Sequence, residues 1–141
     1  MRVDELPDHD RPEYDSYLNH SQGSTIFHLA SWKDVMEDTF NLQSHFLLAR
    51  EGSQIVGVLP LLHIKSVLSG NYFTSMPGAI CAETDRAARA LFDHAKELVD
   101  ASDAQYLVLR DSRRCWSFPE LATNENHCTF VVALSTDPEL I

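Results

Sequence analysis

The segment from His45 to Ile64, HFLLAREGSQIVGVLPLLHI, constrains the chain more than any other. Phe46, Leu47 and Leu48 form an apolar run, Glu51-Gly52-Ser53 interrupts it, and the chain is apolar again from Ile55 to Leu62. That pattern predicts two strands joined by a tight turn, a β-hairpin. Gly52 supplies the positive φ that short hairpin turns need, and the Val, Ile and Leu residues around it suit a pleated, buried surface.

Around this hairpin the chain has 141 residues, the size of one ordinary domain and enough to bury a core. Hydrophobic residues make up 44% and charged residues 23%, close to soluble averages, which argues against a disordered or fibrous class. The longest apolar run is far short of the ~20 residues that span a bilayer. The N-terminus, MRVDELPDHD, is acidic where a secretory signal is basic and then apolar. A cytoplasmic location without a membrane span is the expectation.

The formal net charge is −10, from 21 acidic and 11 basic residues. A surface of that sign repels phosphate backbones and anionic headgroups, so nucleic-acid binding by this segment alone is disfavoured. Arg110, Arg113 and Arg114 form the one basic cluster and read as a solvated face. Cys81, Cys115 and Cys128 are odd in number and widely spaced, with no CxxC pair, and read as free thiols. The seven histidines include no HExxH and no i, i+4 pair on one helix, so no metal site is predicted. There is no G-x-S-x-G elbow, and Asp34, Glu37 and Asp38 read as a solvated helix face rather than an acid/base pair.

In chain order, a first helix is expected over Asp10 to Asn19, with Pro12 in its first turn and Tyr14, Tyr17 and Leu18 on one face. Thr25 to His28 reads as extended. Ser31 then N-caps a second helix whose core-facing stripe is Trp32, Val35, Met36 and Phe40. After the hairpin come a polar turn over Lys65 to Gly70, a strand over Asn71 to Met76, and a stop at Pro77-Gly78. Asp85 to Ala101 carries a strong helical period with Thr84 as N-cap. Tyr106 to Leu109 reads as a short strand covered on both faces, and Asp111 to Asn126 as a loop with one helical turn near Pro119. Thr129 to Leu134 reads as a last strand. Ser135 to Leu140 has the form of a helix start, which leads to the expectation of a piece of a longer polypeptide.

This α, α, β, β, β, α, β, loop, β order resembles the GNAT acyltransferases. Its fold class is α/β (α+β), a mixed, mainly antiparallel sheet flanked by helices. AREGSQIVGVLPL resembles the second and third strands of that family. The segments TIFHLASWKDVMEDTF, HFLLAREGSQIVGVLPLLHIKSVLSG, YFTSMPGAICAETDRAARALFDHAKELV and AQYLVLRDS resemble, in order and spacing, the N-terminal half of FemAB-like proteins, most nearly the exosortase/PEP-CTERM-associated subgroup.

The resemblance implies a single GNAT-like domain over residues 1–141, one half of a two-domain N-acyltransferase. Its missing partner is a second GNAT-like domain. The implied substrate is the amino group of a cell-wall (peptidoglycan) or exopolysaccharide precursor, with a nucleotide-sugar or polysaccharide precursor as ligand. An isolated half is expected to expose an apolar patch and to form a homodimer through it. Two alternatives stay open: a non-catalytic scaffold of GNAT shape, and a free-standing coenzyme A-dependent acetyltransferase.

A coenzyme A-dependent GNAT enzyme carries a Q/R-x-x-G-x-G/A turn whose backbone N–H groups, with the helix N-terminus, hold the pyrophosphate. Here the stretch is PGAICAETDRAARAL, with Gly78 alone available and Glu83 and Asp85 placing negative charge at the helix start. No cofactor is therefore expected. The substrate groove of this fold lies where the sheet strands splay. The residues assigned to it are His28, Trp32 and Lys33 on one side and Met76, Pro77 and Gly78 on the other, with Tyr72 near a strand start and Arg110 near a strand end. No catalytic residue is assigned.

Overall fold

The computed structural model describes residues 1–111, 113 and 115–124. Strand β1 spans Arg2–Glu5, helix α1 Arg11–His20, helix α2 Ser31–Asp34, and strands β2 and β3 Gln43–Glu51 and Gln54–Ser66. Strands β4, Gly70–Ser75, and β5, Cys81–Ala82, precede helix α3, Asp85–Asp100, and strand β6, Tyr106–Val108. The sheet order is β1-β2-β3-β4-β6, with β5 also paired to β3. The β1–β2, β2–β3, β3–β4 and β3–β5 pairings are antiparallel, and β4 with β6 is parallel.

The near-continuous apolar character of the hairpin follows from a sheet covered on both faces. Leu47 and Ala49 of β2 point, with Leu59, Leu61 and Phe73, into a core closed by Ala88, Leu91, Phe92 and Ala95 of α3. Phe46 and Leu48, one residue out of phase, point with Val58 to the opposite face against Tyr14 and Leu18 of α1. Helix α3 starts where Thr84 caps it, its side chain accepting the Ala87 N–H at 3.2 Å.

The hairpin turns at Gly52, with φ +62°, and Glu51 pairs with Gln54. A register shift follows at once, Ala49 facing Gly57 while Arg50 faces Ile55. The shift lies beside Arg50, which is only 8% exposed. Its guanidinium donates to Asp10 at 2.8 Å and to both oxygens of Glu13 at 3.0 Å, tying the entry of α1 to the hairpin tip.

Four expectations are corrected. Thr25 to His28 is not extended: Ile26–His28 is a 3-10 turn, closed because the Thr25 N–H donates to His28 Nδ1 at 3.0 Å. The second helix keeps α geometry only to Asp34 and widens to a π turn over Val35–Thr39. That turn carries an extra residue and rotates the stripe off the sheet, so Val35 is 38% and Phe40 59% exposed. Strand β6 is covered on one face only: Leu107 and Leu109 pack on the α3 side, while Tyr106 and Val108 are exposed. Finally, β1 and β5 belong to the sheet although neither was expected. The expected strand over Thr129 to Leu134 and the helix start at Ser135 lie outside the described residues. Among the described residues no helix is long and apolar enough to cross a membrane.

Candidate functional site

The parallel β4–β6 ladder ends at Thr74 and Val108. Beyond it the two strands are joined by a side chain and a turn: the Arg110 N–H donates to Ser75 Oγ at 2.8 Å, and the Gly78 N–H donates to the Arg110 carbonyl at 3.0 Å. The chain between β4 and β5 is thus a bulge held against β6 on one side. It is held against β3 on the other, the Met76 N–H donating to the Pro60 carbonyl at 3.0 Å. Gly78, at φ +103°, and Ala79, at φ +49°, make the reversal.

A second brace comes from the turn before α2. Thr25 Oγ1 donates to the Pro77 carbonyl at 3.0 Å, and His28 Nε2–H donates to the Ala79 carbonyl, also at 3.0 Å. Because His28 Nδ1 accepts the Thr25 N–H, its ring is the neutral Nε2–H tautomer. Burial lowers its pKa, outweighing the carbonyl bond that favours the charged form, and the nearby Arg113 lowers it further. His28 is fully buried, and both ring nitrogens are used.

Of the residues assigned from sequence, His28, Met76, Gly78 and the backbone of Arg110 therefore meet in one bulge, where the first three are buried. The Arg110 side chain is exposed. Trp32 and Lys33 lie elsewhere on the same side of the sheet. Trp32 is half-buried with its ring 5.3 Å from that of Phe27, and Lys33 donates to Glu37, which also accepts from Ser44 Oγ at 2.5 Å. Desolvation opposes ionisation of Glu37, but the bonds from Lys33 and Ser44 prevail and hold its carboxyl below the usual value. Tyr72 stacks on Tyr106, ring centroids 4.9 Å apart at 6°, and the Tyr106 hydroxyl donates to the Ser69 carbonyl at 3.1 Å.

The start of α3 is occupied by the chain's own groups. The Glu83 N–H donates to the Val56 carbonyl at 3.0 Å, Thr84 caps the Ala87 N–H, and Asp85 adds an acid to the first turn. Two adjoining grooves of about 290 and 380 Å³ run from α1 to this point, sharing Tyr17, His20 and Glu83. Their floor includes Cys81, whose buried thiol is shifted up. Sequence reasoning did not assign these residues; Tyr17 sits at the edge of the Tyr14–Leu18 stripe, the one signal that marked it. Among the described residues no group of three or more His, Cys, Asp or Glu side chains is placed to hold a metal ion.

A mixed, mostly antiparallel sheet with α1 and α2 on one face, α3 on the other, and a parallel pair after a bulged strand is the fold of the GNAT acetyltransferases. Among solved structures, the ribosomal-protein-alanine N-acetyltransferase from Brucella melitensis biovar Abortus 2308 matches with a TM-score of 0.65 and 16% identity, over 95% of this chain and 100% of that one. A GNAT family acetyltransferase from Staphylococcus aureus matches with a TM-score of 0.60 and 13% identity, over 93% and 98%. FemX matches with a TM-score of 0.59 and 19% identity over 74% of this chain, and the chain spans 25% of the FemX chain. No family model and no curated protein matches the sequence.

Proposed function

We propose that this chain is the acceptor-binding half of an N-acyltransferase of the FemAB-like kind, serving the amino group of a cell-wall or exopolysaccharide precursor, with a second GNAT-like unit as its partner. The observation that carries it is the start of α3. A coenzyme's pyrophosphate needs free N–H groups and positive potential there. This chain instead supplies a Thr84 cap, an N–H spent on Val56, and the acids Glu83 and Asp85. The likeness to FemX, of which the chain spans 25%, supports a fold shared with a unit of that longer protein.

A free-standing acetyltransferase is the second reading, favoured by the full-length match to the Brucella enzyme. Titrating the purified chain with acetyl coenzyme A, and separately with a nucleotide sugar, separates the two. Saturable binding of the nucleotide sugar with none of the coenzyme is expected. Micromolar coenzyme binding overturns the acceptor-half reading and establishes the second.

A further inference from the structure

The cations of this acidic chain are mostly spent. Arg2 pairs with Asp4, Arg11 with Asp8 and Asp34, Arg50 with Asp10 and Glu13, Arg86 with Glu51, and Arg89 with Asp93 and Glu120. Among the described residues Arg110 and Arg113 are the two arginines with no carboxylate partner. The Arg113 guanidinium donates to the Gly23 carbonyl, and the Arg110 guanidinium has no hydrogen bond or ion pair with another described residue. Both are exposed.

The backbone at Arg110 is held at both its N–H, bonded to Ser75, and its carbonyl, bonded to Gly78. The intervening acid, Asp111, directs its two oxygens to the N–H groups of Arg113, at 3.0 Å, Cys115, at 2.9 Å, and Trp116, at 3.4 Å. Among the described residues it accepts from these backbone N–H groups and pairs with no guanidinium. Leu107 and Leu109 face α3, so alternation along the strand directs Tyr106, Val108 and Arg110 to the α1/α2 side. Arg113 reaches that side too, since Gly23 lies in the α1–α2 connection. The surface thus runs from the stacked Tyr72–Tyr106 pair, past exposed Val108, to two uncompensated guanidinia.

We infer that Arg110 and Arg113 form an oxyanion site on the α1/α2 face, taking the phosphate or carboxylate of a small ligand whose apolar or ring portion lies along Val108 and Tyr106. Guanidinia donate in planar forks that match both anions, and a pre-held backbone lowers the ordering cost of binding. The inference deepens the acceptor-half reading by naming the chemistry that the site recognises, and it rests on that reading only for the identity of the ligand.

The test is titration of the chain with inorganic phosphate, pyrophosphate and malonate, followed by the Nε–Hε resonances of the arginines. Saturable shifts of Arg110 and Arg113 are expected with at least one anion, and the preferred anion distinguishes a phosphate from a carboxylate source. Arg110→Gln is expected to weaken binding roughly tenfold or more, Arg110→Lys to restore it in part, and Arg2→Gln to leave it unchanged. Absence of saturation on the order of 10 mM anion, or affinity that survives both Arg110→Gln and Arg113→Gln, overturns the site. Coenzyme binding that persists in Arg110→Gln and Arg113→Gln sinks the acceptor-half reading without touching this result, so the two failures are distinguishable.

Discussion

His28 fills the space that a side chain on residue 78 would need: a Cβ built on Gly78 comes 2.6 Å from His28 Cε1 and 2.9 Å from Thr25 Cγ2. Neither neighbour is free to retreat, because the His28 ring is bonded at both nitrogens and Thr25 is tied to Pro77. The φ of +103° penalises any L side chain as well. Gly78→Ala is therefore expected to cost about 3 kcal/mol in urea unfolding. Gly52→Ala, at φ +62° with nothing within 4 Å, is expected to cost about 1 kcal/mol. Equal costs at the two positions contradict the clamp.

The same clamp makes stability depend on pH. Protonating His28 places an N–H against the Thr25 N–H, and burial already lowers its pKa in the folded state. His63, 6% exposed and stacked on Phe73, is also lowered, by burial, with Lys65 and His45 adding to it against the opposing charge of Asp103. The unfolded chain then binds more protons than the folded one, so stability is full above the ordinary imidazole value of about 6.5 and falls as the pH drops below it. The slope approaches about 1.4 kcal/mol per pH unit for each imidazole that stays neutral when folded. Urea unfolding at pH 7.5, 6.5 and 5.5 reads this out, and a flat profile over that range counts against neutral, buried rings.

How far the sequence announces this structure varies along the chain. The hairpin is legible because Phe46 to Leu48 and Ile55 to Leu62 are apolar on both phases, which a strand buried on two faces requires. α3 is legible because Thr84 and the Ala87–Ala95 spacing agree. Strand β1 is not, since RVDE has one apolar residue and becomes a strand through its pairing, Val3 with Ala49. The stripe Trp32–Phe40 misleads because a π turn has no distinct hydrophobic period. At the candidate site Pro77-Gly78 marks the turn. The brace from His28 to Ala79, 51 residues on, and the reach of Arg113 to Gly23, 90 residues back, exist only in the fold.

Arg50 offers a test of the link between α1 and the hairpin. It is 8% exposed and holds Asp10, Glu13 and the Ser53 carbonyl at once, and its partners keep its pKa raised. Removing the guanidinium leaves Asp10 and Glu13 facing each other without a counter-charge, although both keep some water contact. Arg50→Ala is expected to cost about 2–3 kcal/mol, and Arg50→Lys to recover little of it, because an ammonium cannot replace a fork that reaches both carboxylates. Full recovery in Arg50→Lys shows that charge alone matters at this position.

Tyr14 supplies the converse case, a buried polar atom whose removal helps. Its residue is fully buried between α1 and the sheet, its ring 6.4 Å from that of Phe46, and its hydroxyl has no hydrogen-bond partner among the described residues. Burial drives the phenol pKa well above its ordinary value, so the group is neutral at every working pH. A neutral hydroxyl without a partner still loses its water on folding, at about 1–3 kcal/mol, while the ring contributes the packing. Tyr14→Phe keeps the ring and deletes the penalty, so its unfolding free energy in urea titration is expected to equal or exceed that of the parent chain by up to about 1 kcal/mol. A loss above about 1 kcal/mol shows instead that the hydroxyl is bonded in solution.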